Sequence, residues 1–436
     1  MFRLLRRFFG DRAGNFAMTM GLIAIPLIGG AGFGLDLVRA YNLKGRLQNA
    51  ADAAAVGAIA KSSPGVLAAT TMAGDGEIAA GDADAANLFR ANLGSGDLAS
   101  VQNITAHVEK SGYQVNSTVT YEATMPTTLM QVLGQKTVTL SGTASASSNM
   151  PLFADFYLLL DNTPSMGIGA TAKDISTLEA NTGSTPDGTC GFACHEGDQK
   201  VDNYDIAKAV GVTMRIDVVR EATQNLMTTA ATYTEFPEQF RMGIYTFGQS
   251  FEQAKLYQIT DLTSDYGAAS KAADAIDLMT VPAQNYKEDT ATDLNGMMSS
   301  LNGLIDTPGS GYSAKSRAKY IFLVTDGVND HSNAYCSQPL VQPTKLNRCI
   351  EPIDLKTCSR IKDRGIKIAV LYTTYLDLPD NKFWRKWVKP FTPQISPQMQ
   401  SCASPGLYFE VSPTQGISDA MNALFKKIIL DPRLTG

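Results

Sequence analysis

Histidine is scarce in this chain of 436 residues: His107, His195 and His331 stand far apart, which argues against a His-rich zinc site. Basic charge is not in excess. With 37 Lys and Arg against 42 Asp and Glu the net charge is −5, so the basic face that a nucleic-acid partner calls for has no support. The sequence also lacks G-x-S-x-G, H-E-x-x-H and a Walker-type loop, and no cysteine stands in a recognisable catalytic context. Cysteine is absent before Cys190; then come Cys194, Cys336, Cys349, Cys358 and Cys402. An even number confined to the C-terminal part suits disulfides made in an oxidising compartment; six cysteines allow 15 pairings, of which 190–194, 336–349 and 358–402 is the expected set. Six thiols in a cytosolic protein are the alternative, and the N-terminal segment decides between them.

That segment lacks charge altogether from Asn15 to Leu35, after a tip bearing Arg3, Arg6, Arg7 and Arg12. A helix of that length covers about 31 Å, the thickness of a bilayer core. The arginines ahead of it place the N-terminus in the cytoplasm and the bulk of the chain in the periplasm, on the far side of an inner membrane. A cleaved signal peptide is the competing reading, but the apolar run is long for one and no clear A-x-A site follows. Prepilin-type processing after Gly14 usually needs Glu at the fifth mature position, where this chain has Thr19. An uncleaved anchor is therefore expected. From Asp36 the pattern continues as an amphipathic, Ala-rich helix with Leu37, Tyr41 and Leu47 along one side, so residues 1–62 form a tip, an anchor and a helical extension.

Residues 63–150 read as a small α+β spacer module. Gly, Ala and Asp crowd residues 63–95, with a short helix near AANLFRANL. ITAHVEK, YQVNSTVTYEA and KTVTLSGTASAS then alternate apolar and polar residues as strands do, and MPTTLMQVLG between the last two predicts a short helix.

Residues 151–436 form a third region in which strands and helices alternate. FADFYLLLD, RMGIYTFG, KYIFLVTDG, IKIAVLYTT and LYFEV predict strands, with LYQIT at an edge. VTMRIDVVREATQNLMTTAATY, YGAASKAADAIDLM, TDLNGMMSSLNGLI, IDLKTCSRIKDRG and ISDAMNALFKKII predict helices. This order predicts an α/β fold with a doubly wound, mostly parallel sheet. Ligands of such sheets sit outside the carboxyl ends of the strands. Three polar clusters fall there: Asp161-Asn162-Thr163-Pro164-Ser165 after the first strand, Thr292-Asp293 before a helix, and Thr325-Asp326-Gly327 after YIFLV. The carboxylates of Asp161 and Asp326 with several hydroxyls, without thiolate or imidazole, suit a hard cation: Mg2+ before Ca2+ or Mn2+. Each cluster alone is also an ordinary turn or helix cap.

Two resemblances add to this reading. GNFAMTMGL followed by GLDLVRAYNLKGRLQNAADAAA, after basic residues, resembles the TadE/TadG-like Flp pilus-assembly family over roughly the first 60 residues. D-x-T-x-S after an apolar strand, a Thr before a middle helix and a later TDG resemble the metal-ion-dependent adhesion site of von Willebrand factor A domains. The second resemblance implies that Asp161, Thr163, Ser165, Thr292 and Asp326 are metal ligands, with Thr290 as the substitute for Thr292. Together they imply a membrane-anchored, TadG-type component of Tad/Flp pilus assembly or surface adherence, not an enzyme. Its cation would take a carboxylate from a protein partner, such as a pilus or Tad assembly component. A periplasmic hydrolase and a metal-independent scaffold are the alternatives. GTCGFACHEGD has the elements of a haem attachment motif with the wrong spacer, and a small disulfide-closed loop on the site's rim is expected instead.

Overall fold

The computed structural model describes residues 13–185, 188–284, 286–332, 336, 348–374, 382, 384–411 and 416–430; the arginines ahead of residue 13 lie outside them. Two compact units divide the chain, Met1–Pro151 and Leu152–Gly436.

In the first unit one continuous helix, α1 (Ala13–Ala58), carries both the uncharged run and the Ala-rich extension, with Pro26 inside it. The buried stripe differs from the expected one. Gly29, Gly32, Asp36, Ala40, Leu43, Leu47, Ala50 and Ala54 face inward, whereas Leu37 and Tyr41 are exposed. The reason is helical phase. At about 3.6 residues per turn Leu47 shares a face with Ala40 and Leu43, while Leu37 and Tyr41 fall elsewhere. The inward stripe is built of small residues, which let α1 lie close to its neighbours.

Short elements follow: α2 (Pro64–Ala69), capped by Ser63, then β1 (Gly76–Glu77), α3 (Ala79–Ala91) and α4 (Ser95–Leu98). The predicted strands are β2 (Val101–Ser111), β3 (Gln114–Pro126) and β4 (Thr137–Asn149). They form an antiparallel sheet in the order β1-β2-β3-β4. Alternation sends Val115, Val119, Tyr121, Ala123 and Met125 of β3 inward. Gln48 of α1 donates to the Thr143 carbonyl at 3.1 Å and accepts from the Tyr121 hydroxyl at 3.3 Å. The helix predicted between β3 and β4 shrinks to one 3-10 turn, Met130–Leu133.

The second unit opens with β5 (Ala154–Leu160), buried along its whole length as its unbroken apolar run predicts. Its sheet also holds β6 (Phe240–Thr246), β7 (Tyr257–Thr263), β8 (Ala318–Thr325), β11 (Lys367–Thr373) and β12 (Tyr408–Val411). A separate hairpin joins β9 (Asn329–Ser332) to β10 (Arg348–Glu351). The six-stranded order is β12-β11-β8-β5-β6-β7, parallel throughout except for the antiparallel edge strand β7.

Helices cover both faces. Phe156 and Leu158 point toward α7 (Arg215–Tyr233) and α12 (Ile417–Leu430), where Phe425 lies 5.2 Å from the Phe156 ring. Tyr157 and Leu159 point toward α9 (Leu294–Leu304), α10 (Leu355–Asp363) and α11 (Thr392–Cys402). Three further helices are α5 (Ala172–Thr182), α6 (Asn203–Ala209) and α8 (Tyr266–Ala272). No helix is predicted between Ser165 and α6, yet α5 forms there, started by a Thr171–Asp174 capping box. The helix predicted over 266–279 ends early, because Asn162 holds the Asp277 carbonyl and the Met279 N–H in extended chain.

Candidate metal centre

Adjacent parallel strands deliver the first and third clusters to one edge. β5 pairs with β8, and the ladder runs on as the Asp161 N–H donates to the Val324 carbonyl at 2.9 Å. The hydroxyl of Thr325, the last residue of β8, then donates to Asp161 Oδ2 at 2.7 Å. Asp161 Oδ1 accepts from the Thr163 N–H at 3.1 Å and the Thr163 hydroxyl at 2.7 Å. Thr163 Oγ1 lies 3.4 Å from Ser165 Oγ and accepts from the Thr292 hydroxyl at 2.8 Å. Residues 129 positions apart thus touch at the top of the sheet.

Thr292 is held there by its backbone. It exchanges both N–H···O=C bonds with Asp330 at 2.8 Å, and the Asp293 side chain caps α9 through the Gly296 N–H. Thr290 instead donates to the Lys287 carbonyl, so the second loop brings Thr292, not Thr290, to the cluster. Asp326 is fully buried in the turn after β8, with Oδ1 accepting from the Val328 N–H at 3.2 Å. Gly327 allows this turn: its φ is +77°, and a Cβ there would fall 2.4 Å from Ile395 of α11.

Burial, and next the field of Asp326, push the Asp161 carboxyl well above the usual carboxylate range. Two dry carboxylates that repel one another need positive charge nearby. One source is in the chain: Arg215, fully buried at the start of α7, places Nη1 3.9 Å from Asp326 Oδ2 and donates from Nη2 to the Thr374 carbonyl at 2.7 Å. No motif marks Arg215 as a site residue; the one sequence signal is a charge on the apolar stripe of its helix, in line with Val219, Ala222 and Leu226. Thr325 and Asn162 stand within the predicted clusters but outside the predicted ligand set. Asn162 accepts from the Phe247 N–H at 3.0 Å and donates to the Gly248 and Asp277 carbonyls, tying the loop after β6 to the cluster.

The side chains that touch one another are all oxygen donors, the Asp161 carboxylate and the hydroxyls of Thr163, Ser165 and Thr292, with Asp326 next in the chain after Thr325; oxygen donors are the chemistry of a hard divalent ion. His331 belongs elsewhere, buried in β9 and 3.2 Å from Glu351. Cys336 is joined to Cys349 and Cys358 to Cys402, while the expected 190–194 bridge is not among the disulfides of the described residues. His195, beside Cys194, packs instead on Tyr204 and pairs with Asp202 at 2.9 Å. Residues 333–335 and 337–347 lie outside the described residues.

Comparison with known proteins gives one family match: residues 14–73 fit the model described as putative Flp pilus-assembly TadE/G-like. No curated protein matches. Among solved structures, the chain is similar to the vWF domain of the type V pili tip protein Mfa5 from Porphyromonas gingivalis. Identity is 12%, coverage 66% of this chain and 98% of that one, and the TM-score 0.37. The pilus adhesin SpaC from Lactobacillus rhamnosus GG, in its open conformation, shares 12% identity over 75% of this chain and 33% of its own, with a TM-score of 0.37. Proximal thread matrix protein 1 from the mussel byssus, with a zinc-occupied MIDAS motif, shares 12% over 64% and 46%, with a TM-score of 0.33. The chain thus spans a third of SpaC and under half of the byssus protein.

Proposed function

We propose that this protein is a membrane-anchored component of pilus assembly or surface adherence, and that it binds a protein partner through a divalent cation. Asp161, Thr163, Ser165, Thr292 and Asp326 would hold the ion, Mg2+ before Ca2+ or Mn2+. The observation that carries the reading is the hydrogen-bonded run from Thr292 through Thr163 to Asp161, with Asp326 adding a second negative field to the same buried point. The family match over residues 14–73 supports the pilus context. For the anchor, the support is that one helix among the described residues is long and apolar enough to cross a membrane.

A bound cation would supply an electrophilic position open to a partner's carboxylate. The chain's own residues prepare that position. Thr325 orients Asp161, and the Asp330 backbone orients Thr292. These residues offer binding groups rather than a nucleophile with its base, so the site serves recognition, not turnover.

Mg2+ titration of the full chain in detergent tests this. Saturating ion should stabilise the second unit, by about 2.7 kcal/mol at a hundredfold excess over the dissociation constant. Asp161→Ala should abolish the gain. A chain whose unfolding ignores Mg2+, Ca2+ and Mn2+ would instead be the metal-independent scaffold, a reading that the Arg215 guanidinium beside Asp326 favours.

A further inference from the structure

The stretch between β3 and β4 packs against α1 at an unexpected height. A Cβ on Gly32 would fall 2.3 Å from Leu129 Cβ, so Leu129 lies directly on that glycine. Gly32 sits inside the uncharged run, which ends at Leu35. At about 1.5 Å per residue, the contact lies about 4.5 Å within the end of that run. At this level of the helix Leu27, Ile28, Phe33 and Leu35 are all exposed. The half-buried Leu129 and Met130 of the turn lie at the same level as these side chains.

The turn's backbone is satisfied from within. Asp36, the first charge after the run and fully buried, accepts from the N–H groups of Thr128, Leu129 and Met130 at 2.9–3.1 Å. Thr127 donates to the Lys136 carbonyl, Gly134 to that of Gln131 and Gln135 to that of Met130. Such closure lets the turn approach the edge of the hydrocarbon, where water is scarce and each unsatisfied polar group costs several kcal/mol. Exposed Arg39, which reaches both Asp36 and Thr128, and exposed Lys136 flank the turn with positive charge. That arrangement suits anionic headgroups.

We propose that the turn around Leu129 and Met130 is a second membrane contact, seated in the bilayer interface beside the anchor with a phospholipid surface as its partner. The inference rests on the anchor reading above. Held at two points, the first unit could not swing freely about a single helix.

The test uses the full chain in phosphatidylcholine–phosphatidylglycerol vesicles. Tryptophan fluorescence of Met130→Trp, after subtraction of the parent chain, should fall at least twofold when dibromo-phosphatidylcholine replaces the ordinary lipid. Ser145→Trp, on the exposed side of β4, should not respond. Diazirine-bearing lipid should label the peptide containing Leu129 and Met130 in the unmodified chain, which guards against misfolding of the variant. If the chain floats with the vesicles but neither probe detects lipid at the turn, the interfacial contact is wrong and the anchor stands. A chain that does not float at all overturns both.

Discussion

Arg215 brings a buried positive charge to the candidate site, 3.9 Å from Asp326. At an effective dielectric of about 20, a unit charge several Å from a cation contributes on the order of 1–3 kcal/mol. Arg215→Met should therefore tighten Mg2+ binding about tenfold while lowering the stability of the ion-free protein, because the two aspartates lose their internal counter-charge. Isothermal calorimetry measures the first effect and thermal unfolding the second; unchanged affinity would mean that the guanidinium does not sense the ion. Asp155, at the opposite end of β5, makes a different case. It is buried and takes bonds from Arg241 at 2.7 and 2.8 Å and from Lys319 at 2.6 Å. Burial pushes its carboxyl up, but the bonds from Arg241 and Lys319 prevail and hold it below the usual carboxylate value. A depressed folded pKa contributes stability that is complete above the unfolded value near 3.9 and is lost as pH falls through the folded one. Asp155→Ala should cost about 3–5 kcal/mol at neutral pH by stranding the cations, and should flatten the acid limb of the stability curve below about pH 4.

Among the elements, the β9–β10 hairpin connects a disulfide to a candidate ligand. Cys336–Cys349 closes it, the Arg348 guanidinium grips Asp330 within it, and the Asp330 backbone holds Thr292. Replacing both cysteines by serine should cost roughly 3 kcal/mol of chain entropy and should also weaken Mg2+ binding several-fold, as Thr292 loses its fixed position. The matching change at Cys358 and Cys402, which ties α10 to α11, should cost roughly 4 kcal/mol because its loop is longer. Since α11 packs on Gly327, weaker ion binding is expected there as well, and titration of both double variants compares the two routes.

For the whole molecule, two compact units predict two thermal transitions rather than one. We expect Mg2+ to move only the transition that belongs to residues 152–436, because every candidate ligand lies there. Scanning calorimetry of the full chain with and without the ion checks this; a single transition that shifts as one would join the units energetically.

Periodicity alone carried much of this architecture. The uncharged run, the alternation of β2 to β4 and the order of strands and helices after Pro151 are local patterns, and burial enforces them wherever the chain folds. The three polar clusters were visible for the same reason, because residues after a buried strand must turn at the sheet edge. Tertiary contacts decided the rest. The inward face of α1 depended on helical phase over many turns and on which neighbours it met. The short helix before Asp277 depended on Asn162, 115 positions away. The choice of Thr292 over Thr290 depended on Asp330, and Arg215 became part of the site only when its helix brought a charge under Asp326. Local pattern determines which groups reach a surface or a core, but partners distant in sequence determine which of those groups meet.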